Sequence, residues 1–254
     1  MKLYNIVFSP TGGTRKVADA LCAGFSLPVQ MIDLCDRNLD FSSFHFEPGD
    51  ICVISVPSFG GRAPVTAAQR MAAMRGSGAW AVLVAVYGNR AIDDTLIEMK
   101  DLVTAAGFRC GATVSAVAEH SIARCYAAGR PDNSDTAELT GFGQAIAKKL
   151  NGESACSDAE VPGNRPYRNF GGVGMIPMPG DACTGCGSCA ALCPTGAISD
   201  QDPRKVDTAL CISCMRCVAV CPEHDRHAEA AKVAATEAKL AKLCADRKPN
   251  ELFL

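Results

Sequence analysis

Eight of the chain's 15 cysteines fall between Cys183 and Cys221, in two copies of one spacing. Cys183, Cys186, Cys189 and Cys193 read C-x-x-C-x-x-C-x-x-x-C-P, and Cys211, Cys214, Cys217 and Cys221 repeat the pattern 28 residues later, again with Pro behind the last cysteine. The repeat constrains the fold more than any other feature, because so short a segment has little apolar core and takes its shape from what its thiols hold. Three thiolates at i, i+3 and i+6 can hold three irons of a cubane, while the fourth, carried past a Pro, reaches the other cluster of a pair. On that rule Cys183, Cys186, Cys189 and Cys221 bind one [4Fe–4S] cluster, and Cys211, Cys214, Cys217 and Cys193 bind a second. Zinc typically takes paired C-x-x-C elements and gives no reason for a third evenly spaced cysteine followed by C-P. A disulfide scaffold belongs to oxidising compartments.

The other seven cysteines carry no motif. Cys22, Cys52 and Cys110 fall in apolar runs where Cys behaves as a small hydrophobe, and Cys35, Cys125, Cys156 and Cys244 have no patterned partner. His224 and His227 follow the second motif, but the thiolate count is already complete. With 25 Lys+Arg against 27 Asp+Glu and no long basic cluster, nucleic acid is an unsuitable partner. The most apolar stretch, Ala79–Tyr87, is about half the length of a membrane-spanning helix, and Met1–Phe8 has no signal-like cleavage site, so the expectation is a cytoplasmic protein without a membrane span.

Ahead of the cysteines the pattern is different. Short apolar runs at Lys2–Phe8, Val29–Leu34, Ile51–Val56, Ala81–Tyr87 and Cys110–Ala118 read as strands buried on both faces. Helical periodicity fills the gaps at Thr14–Phe25, Pro64–Arg75, Ile92–Ala106 and Ser134–Leu150. Strands alternating with helices predict a five-stranded doubly wound parallel sheet. The expected divisions are a first domain over 1–152, a Pro/Gly-rich linker over 153–180, the thiol-bearing domain over 181–225, and a helix with a docking tail over 226–254. Tyr167, Phe170, Val173, Met175 and Ile176 argue for a linker packed on a surface, Ala228–Cys244 reads as an alanine-rich helix, and the apolar Leu252-Phe253-Leu254 is expected to dock.

Ser9-Pro10-Thr11-Gly12-Gly13-Thr14 joins the first strand to the first helix, where such sheets bind phosphate. Two glycines let N–H groups converge, and the hydroxyls of Ser9, Thr11 and Thr14 add donors without charge. Without a GK[ST] or a G-x-G-x-x-G, an ATP-type loop and a nicotinamide dinucleotide are disfavoured, and a single phosphate such as that of FMN fits. A turn in which Thr11 or Thr14 merely caps the helix would look similar. Two further loops on the same sheet edge, Pro57-Ser58-Phe59-Gly60-Gly61-Arg62 and Tyr87-Gly88-Asn89-Arg90, each set an aromatic ring beside glycine, as a planar ring system requires.

Residues 181–222 resemble the bacterial two-cluster ferredoxins, and the three loops of residues 1–150 resemble the flavodoxin superfamily. That second likeness implies the strand order 2-1-3-4-5 with FMN at the switch point: Ser9, Thr11, Gly12, Gly13 and Thr14 would hold the phosphate, and Ser58, Phe59, Gly60, Tyr87, Gly88 and Asn89 would border the isoalloxazine. Together with Val161-Pro162-Gly163-Asn164-Arg165-Pro166-Tyr167 and Arg247-Lys248-Pro249-Asn250-Glu251-Leu252-Phe253, the whole chain is similar to flavodoxin–ferredoxin fusions of anaerobic bacteria. The resemblance implies an electron carrier exchanging electrons with a redox protein or a small-molecule donor or acceptor. An FMN-dependent reductase of a small molecule or quinone, with Arg62, Arg90, Glu119 and His120 as acid–base candidates, is the alternative, and a flavin-free docking or sensing module is another.

Overall fold

A computed structural model describes residues 1–151, 159–172 and 174–254; Cys156, Val173 and the start of the expected linker lie outside the described residues. Five strands, β1 (Leu3–Val7), β2 (Val29–Asp33), β3 (Ile51–Pro57), β4 (Trp80–Tyr87) and β5 (Arg109–Val117), run parallel in the order β2-β1-β3-β4-β5. Between them lie α1 (Gly13–Ala23), α2 (Val65–Ala73) and α3 (Thr95–Ala105), with α4 (Asn133–Asn151) after β5. Alternate strand residues divide between two cores. Ile6, Ile54 and Leu83 pack on Met71 of α2 and on Leu96 and Met99 of α3. Val53, Val82, Val84 and Val114 pack on Val17 and Leu21 of α1 and on Leu139 and Ile146 of α4. Burial on both faces is why the inner strands read as unbroken apolar runs.

The sheet has a sixth strand. The segment Glu251–Phe253, labelled β8 below because two short strands precede it, pairs antiparallel with β5, Leu252 opposite Val114 and Phe253 opposite Thr113. Leu252 packs on the α1/α4 core and Phe253 on the α2/α3 core.

The thiol-bearing segment holds two one-turn helices, α5 (Ser188–Ala191) and α6 (Arg216–Ala219), and a two-stranded sheet of β6 (Met178–Pro179) and β7 (Arg226–His227). Both helices start after a left-handed residue, Gly187 (φ 76°) and Met215 (φ 61°), so the two halves repeat in conformation as in sequence. The final helix, α7 (Ala230–Leu240), is shorter than the expected Ala228–Cys244, ending where Leu240 buries against Ala123 and Cys244.

Linker residues 159–172 run along the first sheet's helices. Ala159 N–H donates to Cys110 O (3.2 Å), Asn164 N–H to Asp94 Oδ1 (2.8 Å) and Arg168 N–H to Asp94 Oδ2 (2.7 Å), while Arg62 lies 4.9 Å over the Tyr167 ring. Among the described residues no helix is long and apolar enough to cross a membrane.

Candidate cofactor sites

The eight motif cysteines line two cavities of nearly equal volume, and they sort across the motifs. Cys211, Cys214 and Cys217 share a space of about 360 Å³ with Cys193. Cys183, Cys186 and Cys189 share one of about 340 Å³ with Cys221. Each motif therefore sends its fourth cysteine to the other's cavity. The first quartet lies inward: Ile212 packs on the α2/α3 core, and Arg70 Nη2 donates to Pro194 O (2.7 Å). Burial pushes the Cys214 thiol up to about 12 and that of Cys217 up to about 11. Such thiols are anionic only with a cation or metal to hold the charge. In the outer quartet Cys186 is exposed, and hydrogen bonds from Ser188 bring its thiol below the usual value. Among the described residues no three His, Cys, Asp or Glu are grouped so as to hold a single metal ion. The thiols surround voids.

Arg226 fits these voids to an anionic occupant. It is 2% exposed, and its Nε and Nη2 are buried without a hydrogen-bond partner. A buried cation left so is costly unless negative charge stands beside it.

A third cavity, of about 730 Å³, opens above the start of α1. Thr11, Gly13 and Thr14 form its floor, and Ser58, Phe59, Gly60, Tyr87 and Gly88 its sides. Gly12, not a threonine, is the helix N-cap, at φ 93° where an L side chain is strained, and no side chain caps the helix. The N–H groups of residues 11–14 have no acceptor among the described residues. Open donors at a helix start are what a phosphate needs.

Three of the expected flavin contacts, Ser9, Gly12 and Asn89, do not line this cavity. Ser9 Oγ accepts from Arg15 N–H (2.9 Å), and Ser9 O accepts from Arg216 Nη1 (3.4 Å). Gly12 lies beside the cavity without lining it. Asn89 is buried away from it: Nδ2 donates to Cys244 O (3.0 Å) and Asp246 O (2.8 Å), and Oδ1 accepts from Lys248 N–H (3.3 Å). Asn89 holds the last segment of the chain, not a ring edge. Ser58 lines the cavity, yet its hydroxyl bonds Thr95 Oγ1 (2.8 Å) and Ile92 O (3.3 Å).

The cavity also contains residues outside the three loops from which it was expected. A Cβ on Gly60, itself at φ 59°, would come within 2.2 Å of the Phe170 ring, so linker and loop are in direct contact. Ser213 and Cys214 form part of the wall, so Cys214 borders this cavity and the inner thiol cavity alike. Phe170 is legible only as a large apolar residue in a polar linker.

Of the acid–base candidates, Arg62 is committed to Glu98 through Nε and Nη2, both at 2.8 Å, and lines neither this cavity nor its mouth. Glu119 is in the wall but bound to Arg124 Nε (2.6 Å) and Gly129 N–H (3.1 Å). His120 Nδ1 accepts from Ile122 N–H (3.1 Å) and Ala123 N–H (3.0 Å), which places its proton on Nε2. Burial and then Arg90 depress its pKa, keeping it neutral. An adjoining space of about 1460 Å³ shares Ser58, Tyr87, His120 and Phe170 and carries Arg90, Arg168 and Lys239 in its wall.

Comparison with known proteins bears on the second half directly: residues 182–225 match the 4Fe-4S dicluster domain family. No curated protein matches the chain. Its path is similar to a flavodoxin from the domain Archaea (15% identity, TM-score 0.44, covering 60% of this chain and 100% of that one). It is also similar to the flavodoxin of Streptococcus pneumonia TIGR4 (19%, 0.41, 58% and 99%) and to two-electron reduced Megasphaera elsdenii flavodoxin (18%, 0.37, 57% and 98%). The flavodoxin-like assignment of the sheet rests on its strand order.

Proposed function

We propose that this chain is an electron-transfer iron–sulfur flavoprotein of the flavodoxin–ferredoxin fusion kind, carrying two [4Fe–4S] clusters and one FMN and serving an external redox partner. The observation that carries the reading is Cys214, which borders both the inner thiol cavity and the cavity over the phosphate-type loop. When bound, FMN supplies interconversion of one- and two-electron chemistry and the clusters supply single electrons. The chain's part is placement. Thr11, Gly13 and Thr14 present N–H groups to a phosphate, Phe59, Gly60, Tyr87, Gly88 and Phe170 border the ring, and the Ser213–Cys214 wall keeps the inner cluster ligands against it. Cys193, Cys211, Cys214 and Cys217 form the inner ligand set. Cys183, Cys186, Cys189 and Cys221 form the outer one, with Cys186 at the surface facing a partner.

Anaerobic purification with iron, sulfide and flavin counts, followed by stopped-flow reduction, tests this. Flavin reduction that follows cluster reduction at a rate independent of protein concentration is expected. A folded protein with no affinity for FMN in calorimetry would remove the flavin from the reading.

A reductase of an anionic small molecule is the second reading, favoured by the adjoining cavity with Arg90, Arg168 and Lys239 in its wall. Steady-state screening of carboxylate and quinone acceptors separates it from a carrier.

A further inference from the structure

Arg226 is the one residue among those described that lines both thiol cavities. Its Nη1 donates to Cys189 Sγ (3.5 Å), an outer-set thiol, and to Pro203 O (2.8 Å). Toward the inner set it lines the cavity that Cys193, Cys211, Cys214 and Cys217 share, with Nε and Nη2 buried and without a hydrogen-bond partner. Among the described residues no carboxylate forms an ion pair with it, and the neighbouring Asp225 is turned toward Gly180. Its backbone is fixed by pairing with Pro179 in the β6–β7 ladder.

A guanidinium cannot shed its proton in a protein, so Arg226 remains a buried cation. Four thiolates around a [4Fe–4S] core make an anionic centre, and the potential of such a centre responds to net charge and to hydrogen bonds on its sulfurs. One cation between two such centres favours the more negative, reduced form of each. Resting on the cluster reading above, we propose that Arg226 is a shared potential-setting residue that raises the reduction potentials of both clusters together. Each reduction moves one electron from an external reductant onto one centre, and Arg226 stays protonated throughout.

The test is an EPR-monitored redox titration of the full-length, iron-loaded protein against dithionite with mediators, comparing wild type, Arg226→Gln and Arg226→Lys. Iron and labile sulfide are counted beforehand. At about eight irons per chain, Arg226→Gln is expected to make reduction of each centre at least tenfold less favourable, about 59 mV for one electron. Arg226→Lys is expected to recover more than half of that shift. Unchanged potentials at full iron, or a shift at only one centre, overturn the proposal. Should Arg226→Gln load less iron, Arg226→Lys decides. Full iron with potentials within threefold of wild type supports a role for charge, and iron loss in both variants shows that Arg226 acts through shape and overturns it. A wild type without labile sulfide would instead overturn the cluster reading.

Discussion

Asp135→Ala strips the buried charge to which the last segment of the chain is tied. Asp135 is 2% exposed at the start of α4. It accepts from Arg130 Nε (2.9 Å) and Nη2 (2.5 Å), Asp132 N–H (3.0 Å), Arg247 Nη2 (3.0 Å) and Asn250 Nδ2 (3.1 Å). Burial alone would raise its pKa, but these donors, Arg130 first, hold the carboxyl well below the usual range. Removing it leaves the Arg130 guanidinium, 7% exposed, without a counter-charge. Breaking a buried pair in this way costs about 3–5 kcal/mol, while the half-exposed Arg247 adds less than about 1 kcal/mol. At roughly 2–4 °C per kcal/mol for a chain of this size, the midpoint at pH 7 falls by about 6–20 °C. Circular dichroism melting of the anaerobic protein measures it. The folded pKa is depressed, so the stabilisation is complete above the carboxylate's usual pKa of about 3.9. It is lost as the pH falls through the folded value, so the gap between wild type and variant narrows below about pH 4. Arg130→Met with Asp135→Leu, which leaves no orphaned charge, is expected to recover most of the loss. A midpoint within 2 °C of wild type for Asp135→Ala, or a gap constant from pH 7 to pH 3, would refute the argument.

Three further outcomes are expected. Cys193→Ala removes the EPR signal of the inner cluster held by Cys211, Cys214 and Cys217, and Cys221→Ala that of the outer one; loss confined to each motif's own cluster would contradict the crossed cavities. Gly12→Val, a β-branched residue at φ 93°, and Thr11→Ala both weaken FMN binding in calorimetry with iron content unchanged; equal affinities would place the phosphate elsewhere. Gly60→Ala drives a methyl group into the Phe170 ring and adds about 1–2 kcal/mol of left-handed strain, so FMN affinity and thermal stability fall together; an unaltered protein would show that the contact yields freely.

The sorting of the eight thiols into two cavities was legible because the information is local: spacing along a few turns brings three thiols to one cavity, and the C-P step carries the fourth to the other. The inner strands were legible for a related reason, since burial on both faces leaves no polar position in Ala81–Tyr87. What escaped was non-local. β8 is three residues long and means nothing without β5, from which Asn250 is separated by 133 residues at its bond to Val117. Asn89 follows Tyr87-Gly88 and so reads as a ring contact, yet its amide is held by backbone 155 and 157 residues onward. Helix α7 ends four residues before the expected Cys244, because the weak apolar stripe of an alanine-rich helix does not mark where Leu240 finds its contacts. Arg226, next to an aspartate and outside both motifs, gives no signal at all until the two cavities are seen to meet at it.

Strand β8 also gives the chain an order of events. The free edge of β5 is complete once about half the protein has been made, and the strand that covers it follows only after the whole thiol-bearing segment. At about 5–20 residues per second, those 133 residues occupy the ribosome for roughly 7–27 s. Throughout that interval the sheet presents an unpaired edge, the kind of surface that recruits other chains. A ribosome that stalls there, or a protease that cuts there, releases a sheet still lacking its edge strand and prone to aggregate. The two halves are thus bound together in biosynthesis, because the first cannot finish its own sheet until the second has been synthesised through.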